Sequence, residues 1–481
     1  MRVLLIYPPI SKRERYCSAI GSAGGNQTPL GVFYLAAYLR QRDHQVEVID
    51  GEARGFSAED IVARAQEFRP ELVGVSSTTV ALHRALEVAG EIKRRWPELP
   101  IVLGGPHASS NVHHAMSFPA VDFAVVGEGE ATLEELARTI AAHGNLSAVQ
   151  GIAFRQDGRV IVTEPRPRLT DLDSLPFPAY DLIPELAVYT PPPCNYKKQP
   201  VANVITSRGC PNVCTFCDRS VFGQHLRQRS AANIAAEIEH LFQTYGVREI
   251  AFVDDTFTIR PARMRELFEL LATKKIAFPW TCMSRINTVD RDTLQFMRKN
   301  GCWHVSFGIE SGNEEILRRI KKNISLEQVR RVVGWCRELG LRTKGFFIIG
   351  HPGETVETME QTIQFGIDLP LDDVVVTINT PIPGSQQHAE AAQYGALDET
   401  DWAKFNYWCP VFVPFGLTQE MLLAKQKEFY RRFYLRPRIL WRYGLSFLSP
   451  SGPRRFWTLC KTLPFLLHRK RQEPDAAVPP T

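Results

Sequence analysis

The stretch SRGCPNVCTFCDRS, Ser207 to Ser220, puts Cys210, Cys214 and Cys217 within eight residues, directly after the apolar run VANVIT (201–206). The spacing is C-x-x-x-C-x-x-C. A structural zinc ion asks for four closed ligands; this loop offers three, with His225 the nearest fourth candidate. Iron–sulfur clusters also take thiolates. Three thiolates on a four-iron cluster leave one iron open, which is what a catalytic metal needs. Idle thiols are the competing reading, but exposed free thiols are generally avoided. The other cysteines (Cys17, Cys194, Cys282, Cys302, Cys336, Cys409, Cys460) are scattered singly. That is the habit of a reduced, cytoplasmic protein and not of a disulfide framework.

Moving outward from the loop, short apolar runs alternate with helical periodicities: VANVIT, EIAFVDD, FPWTCMS, HVSFGIE, TKGFFIIG and DVVVTIN. Six such units predict a partial or closed parallel barrel over 201–395, with its site at the carboxyl ends of the strands. The cysteines then lie on the functional rim. Asp254, Asp255, Arg285, Glu310, Ser311 and Gly350 emerge from the same ends of later strands. Read bottom-up, the charged ones are either ligand contacts or an ion-pair network across the mouth.

The first 150 residues carry the same alternation and predict a doubly wound, Rossmann-like α/β domain. Its strand ends supply SSTT (Ser76, Ser77, Thr78), GGPHAS (Gly104, Gly105, His107) and GEGE (Gly127, Glu128, Gly129). Small residues there let backbone approach a sizeable flat ligand. No strand is followed by G-x-G-x-x-G, which disfavours a dinucleotide. Residues 151–200, rich in Pro and Asp, read as a linker. Residues 396–481 read as a mostly helical, basic and aromatic segment, with a helix over 419–434.

The cysteine pattern, with Phe216 before the third Cys and a barrel strand ahead of it, resembles the radical S-adenosylmethionine (SAM) enzymes. The resemblance implies that Cys210, Cys214 and Cys217 hold a [4Fe–4S] cluster whose open iron chelates SAM, cleaved there to a 5′-deoxyadenosyl radical. It implies Phe216 and Gly350 near the adenine, and Arg285, Glu310 and Ser311 on the carboxylate and ribose. Asp254 and Asp255 stand where many members have Gly-Gly-Glu for the methionine amine. TPIPGS (380–385) matches a P-x-P-G turn of the same subgroup.

The preceding domain, with LGVFYLAAYL (from Leu30 and Gly31), GGPHAS and GEGE, is similar to the cobalamin-binding subgroup. There is no D-x-H-x-x-G, so His107 is not expected to ligate cobalt and the lower face is open or water-bound. The implied activity is methylation of an unactivated carbon. The alternative is radical cyclisation or rearrangement with the same cofactors, as in closure of a porphyrin-precursor ring. Methylthiolation of tRNA would need three more cysteines in the first domain, where only Cys17 stands. A zinc-bearing nucleic-acid binder is opposed by the ligand count and by the acidic remainder of the chain.

No acid or base is named by the motifs; Cys282, Cys302 and Tyr407 are candidate hydrogen donors. The net charge is +5, and Arg431–Arg471 holds eleven Lys or Arg and no Asp or Glu. With Trp441, Phe447, Phe456 and Trp457, that tail could contact an anionic membrane or an apolar, lipid-like substrate. The bland reading is a helical layer with Arg stems over apolar surface. MRVLLIYPP begins as a strand and not as a signal peptide, and no run is long enough to span a bilayer. A small-molecule substrate, a flavodoxin- or ferredoxin-type reductant and no nucleic-acid partner complete the expectations.

Overall fold

Two separate parallel sheets account for the two blocks of apolar alternation. The computed structural model describes residues 1–16, 24–183, 185–192 and 195–446. The first sheet contains β1 (Arg2–Tyr7), β2 (Gln45–Asp50), β3 (Leu72–Ser76), β4 (Ile101–Gly104), β5 (Phe123–Val125), β6 (Ile152–Gln156) and β7 (Arg159–Val162). Its order is β2-β1-β3-β4-β5-β6-β7, and β1 to β5 run parallel. Strand order reverses at β1, which opens the ligand crevice of a doubly wound sheet at the carboxyl ends of β1 and β3. Buried Val, Leu and Ile on β1 face helices on both sides, as parallel sheets require.

The hairpin β6–β7 is antiparallel and extends this sheet past residue 150. The expected linker is therefore shorter, beginning after Val162, and it is firmly anchored. Tyr180 and Tyr189 are buried pegs: the Tyr180 hydroxyl donates to Glu237 at 2.7 Å and that of Tyr189 to Asp50 at 2.6 Å.

The second sheet contains β8 (Val201–Val204), β11 (Glu249–Phe252), β12 (Trp280–Ser284), β13 (Cys302–Glu310), β14 (Arg342–Ile349) and β15 (Asp373–Ile378). The order β15-β14-β13-β12-β11-β8 is sequential and parallel. No pairing of β15 with β8 closes it among the described residues, so the barrel is partial. Its crossover helices are started by side-chain caps at Ser230, Ser325 and Thr355, the last two as capping boxes. A small hairpin, β9 (Ser207–Arg208) with β10 (Arg227–Gln228), brackets the cysteine loop.

The open edge at β15 is covered by the helix Gln419–Tyr434. Gln426 Nε2 donates to the Val376 carbonyl at 2.9 Å, and the Val376 amide donates to the Tyr430 hydroxyl at 2.9 Å. That satisfies an edge strand that would otherwise invite pairing. The helix Pro437–Ser446 comes next, with Leu440 and Trp441 exposed. The rest of the basic, aromatic tail, including Phe447, Phe456 and Trp457, lies outside the described residues, as do Cys17, Cys194 and Cys460. No helix among the described residues is long and apolar enough to cross a membrane. The two domains share packing: Phe33, from the helix Leu30–Arg40 of the first, is buried in the core of the second.

Candidate active site

The cysteine loop hangs between β9 and β10 at the carboxyl end of the barrel. Cys214 is buried, Cys210 half-buried and Cys217 exposed. Asn212 Nδ2 lies 3.2 Å from Cys210 Sγ, and Arg285 Nη1 lies 3.2 Å from Cys214 Sγ. A hydrogen bond from Cys217, helped by the charges of Lys322 and Arg285, lowers the Cys214 thiol. The same hydrogen bond pushes Cys217 up. The pair thus shares one proton and offers one ready thiolate, the form that binds metal. Among the described residues no three His, Cys, Asp or Glu side chains converge on one point as a mononuclear metal site would require. A four-iron cluster asks instead for thiolates on separate irons, and this donor set suits it.

Around that loop the mouth is lined with unpaired polar atoms. Of fourteen buried side-chain atoms without a partner among the described residues, six lie here: Asp254 Oδ2, both His351 ring nitrogens, Glu354 Oε1, Asn379 Nδ2 and Gln387 Oε1. Each such group costs about 1–3 kcal/mol if left dry. Their concentration at one rim fits a polar ligand such as SAM. The His351 ring packs 5.9 Å from the Phe216 ring, and Lys322 Nζ stands 5.6 Å from the centre of that same ring. Burial and then the Lys322 charge lower His351 to about 3, so the imidazole is neutral. Burial raises Glu354 to about 8, so its carboxyl is protonated at neutral pH.

The structure gives several expected contact residues other tasks. Asp254 is fully buried: Oδ1 takes the Thr206 amide at 3.0 Å, the Thr206 hydroxyl at 2.9 Å and the Ser207 hydroxyl, bracing the chain into the cysteine loop. Asp255, its neighbour, is exposed. Arg285 is committed to Cys214 and to the Lys322 carbonyl. Glu310 has φ +69° after a β-bulge and pairs with Lys322 at 2.7 Å, both buried. Ser311 turns away from the mouth, its hydroxyl 3.1 Å from that of Thr362. The Gly350 and His351 amides both donate to Glu354 Oε2, at 2.5 and 3.0 Å.

At the carboxyl edge of the first sheet, a Cβ added at Gly31, Gly104 or Gly127 would meet none of the described residues' atoms within 4 Å. Thr78 Oγ1 is buried without a partner among the described residues. That open, small-residue ledge fits a large flat cofactor such as cobalamin. Gly105, at φ +96°, is needed for the turn, since a Cβ there would stand 2.8 Å from the Ser77 carbonyl oxygen. Ser76 is half-buried on the same turn, and the Ser77 hydroxyl is spent on the Thr78 carbonyl. Leu30 is buried at its helix start.

Three residues of this edge are held in other tasks. His107 is buried and uses both nitrogens, 3.2 Å from the Thr79 hydroxyl and 3.0 Å from His114 Nδ1, so its ring has nothing left for a ligand. Burial lowers it to about 4. Gly129 packs on Leu35, which a Cβ would approach to 3.1 Å. Glu128 points at the barrel, where its carboxylate pairs with Arg208 at 2.8 Å and Arg227 at 2.6 Å.

Residues that the strand-end reading missed are Lys322, His351, Glu354 and Asn379. The segment GHPGE (350–354) carried the signal for two of them, a His and a Glu in a turn directly after a strand. Lys322 lies in a helix-to-helix turn and leaves no such signal.

The chain matches the model of the radical SAM superfamily over residues 204–366 and that of the B12 binding domain over residues 16–137. It is 35% identical to an uncharacterised methyltransferase of Pyrococcus horikoshii, over 92% of this chain and 94% of that one. It is 30% identical to the anaerobic magnesium-protoporphyrin IX monomethyl ester cyclase of Rubrivivax gelatinosus, over 90% and 78% of the two chains. Its fold superposes on OxsB, a cobalamin-dependent SAM radical enzyme solved with aqua-cobalamin and SAM, with a TM-score of 0.74, 16% identity, and coverage of 96% of this chain and 71% of that one. With both cofactor domains in one chain and the cysteine loop at the barrel mouth, the protein belongs to the radical SAM superfamily, in its cobalamin-binding-domain branch.

Proposed function

We propose that the chain is a cobalamin-dependent radical SAM methyltransferase that acts on an unactivated carbon of a small molecule. The observation that carries this reading is the seam between domains: Arg208, two residues before Cys210, pairs with Glu128 and Glu130 directly after β5. This pairing brings the hairpin of the cysteine loop beside the turn that carries Gly127, which supports a site shared by the two cofactors. When bound, the cluster, SAM and cobalamin would supply a reducing electron, a hydrogen-abstracting radical and a transferable methyl group. The chain's own part is placement and exclusion of water. Cys210, Cys214 and Cys217 would hold the cluster, and Asp255 would take the methionine amine. The neutral His351 and the protonated Glu354 would offer hydrogen bonds to the nucleoside beside Phe216. Gly31, Gly104, Gly127 and Thr78 would seat the corrin.

The relative of Pyrococcus horikoshii is named as a methyltransferase, which favours methylation; the Rubrivivax relative keeps ring closure as the second reading. The deciding experiment is an anaerobic turnover of protein reconstituted with iron, sulfide and cobalamin, given SAM and a flavodoxin or chemical reductant. S-adenosylhomocysteine together with 5′-deoxyadenosine, with deoxyadenosine lost in Cys214→Ala, is expected. Deoxyadenosine alone moves the assignment to cyclisation or rearrangement. Neither product, from protein with a full cluster, removes the radical assignment.

A further inference from the structure

The hairpin that carries the cluster loop is fastened to the first domain by a buried knot of four charges. Arg208 ends β9 and Arg227 faces it across the pair in β10. Arg208 Nη1 donates to Glu128 Oε1 at 2.8 Å and Nη2 to Glu130 Oε1 at 2.5 Å. Arg227 Nη1 donates to the other oxygen of Glu128 at 2.6 Å and to the Leu169 carbonyl at 2.7 Å. The Arg208 guanidinium also lies 5.5 Å from the Tyr34 ring and 5.1 Å from the Phe222 ring. Exposure of the four charged side chains runs from 5% to 10%.

Burying four ions costs several kcal/mol each before their attraction is counted, and an apolar seam would hold two domains at least as well. What the knot adds is register. A guanidinium fork shared between two carboxylates fixes distance and angle together, and lysine cannot copy that. The placement gives the register a use. Glu128 comes directly after Gly127 on the open ledge, and Arg208 precedes Cys210 by two residues. Each end of the knot is thus one or two residues from one of the two edges.

We propose that Arg208 is a positioning residue that sets the cluster loop against the cobalamin ledge and transmits occupancy of one to the other. The proposal rests on the cobalamin and cluster reading above.

The test is hydrogen exchange on the full-length, cluster-reconstituted protein with and without hydroxocobalamin. The wild type should gain protection on cobalamin binding both at residues 75–130 and at 205–229. In Arg208→Lys, the protection at 75–130 should persist and that at 205–229 should be lost. The ratio of S-adenosylhomocysteine to 5′-deoxyadenosine should shift with it. Equal transmission in wild type and variant, with both products falling in parallel, overturns the proposal. No cobalamin protection at 75–130 in the wild type overturns the cobalamin reading and this proposal with it, whereas protection there without transmission to 205–229 overturns the proposal alone. Glu130→Gln, which keeps the side chain's shape, gives the same readout where Arg208→Lys fails to fold.

Discussion

Arg285 Nη1 stands 3.2 Å from Cys214 Sγ, and the other arm of the same guanidinium holds the carbonyl of Lys322. One side chain at the end of β12 therefore supports both the cysteine loop and the turn carrying the Lys322–Glu310 pair. Charge and hydrogen bonds at cluster sulfurs are main levers on reduction potential. Arg285→Met should make the reconstituted cluster harder to reduce, moving its midpoint to more negative potential, while Arg285→Lys should fall between. A redox titration followed by electron paramagnetic resonance reads this. An unchanged midpoint with a raised KM for SAM would instead return Arg285 to the carboxylate-binding role that the resemblance implied.

Glu354 gives a pH dependence of definite sign. Its carboxyl rises from 4.5 to about 8 because it is buried, although two backbone amides stabilise the anion. Between those values the unfolded chain has lost a proton that the folded chain keeps. The native state then binds more protons, so its stability falls as pH rises, by at most about 1.4 kcal/mol per pH unit from this group. The contribution is complete below pH 4.5 and gone above about 8. Urea unfolding of the wild type at pH 6, 7 and 8 should show the decline, and Glu354→Gln should flatten it. Parallel slopes in the two proteins would mean that the carboxyl is already ionised.

The architecture was legible because both sheets announce themselves as apolar runs spaced by amphipathic helices, and the strand ends then locate both edges of the site. What the sequence could not convey was direction. Glu128 and Gly127 are adjacent, yet one points across the seam to Arg208 and the other opens on the ledge. Asp254 and Asp255 divide in the same way, one buried and bracing Thr206 and the other exposed. A side chain one position along leaves a strand end facing another way, and only tertiary partners decide which task it receives. The hairpin β6–β7 escaped for a different reason: Arg155, Gln156 and Arg159 are exposed polar positions around its turn, which read as linker.

Gly104 and Gly105 separate the ledge from the turn beneath it. A Cβ at Gly104 meets none of the described residues' atoms within 4 Å, whereas at Gly105 it would meet the Ser77 carbonyl oxygen at 2.8 Å with φ at +96°. Gly105→Ala should cost about 1–3 kcal/mol of stability through strain and overlap. Gly104→Ala should leave thermal unfolding unchanged but weaken cobalamin binding, read by absorbance titration. Equal affinity for Gly104→Ala and wild type would argue that the corrin does not lie on this ledge.

Tyr407 occupies a strap that touches both domains. Its backbone φ is +67°, unusual for a residue with a large side chain, and its carbonyl accepts the Ile378 amide at 2.8 Å at the end of β15. Asn406 reaches the Glu14 carbonyl at 3.4 Å, and Trp402 packs against His107 and His114 of the first domain at 5.4 and 5.0 Å. The residue is 44% exposed. Its phenol, close to Asp218 of the cysteine loop, stays a neutral donor. Strain kept at such a place is expected to serve function at some expense of stability. Tyr407→Gly should relieve the left-handed backbone and hold or raise the melting temperature, worth up to about 1 kcal/mol. Product formation should nevertheless drop, with 5′-deoxyadenosine released without substrate turnover as the gap loses its cover. Tyr407→Phe should keep the cover and separate the contribution of the hydroxyl. A glycine variant that melts later and turns over substrate as fast as wild type would reduce Tyr407 to a packing residue.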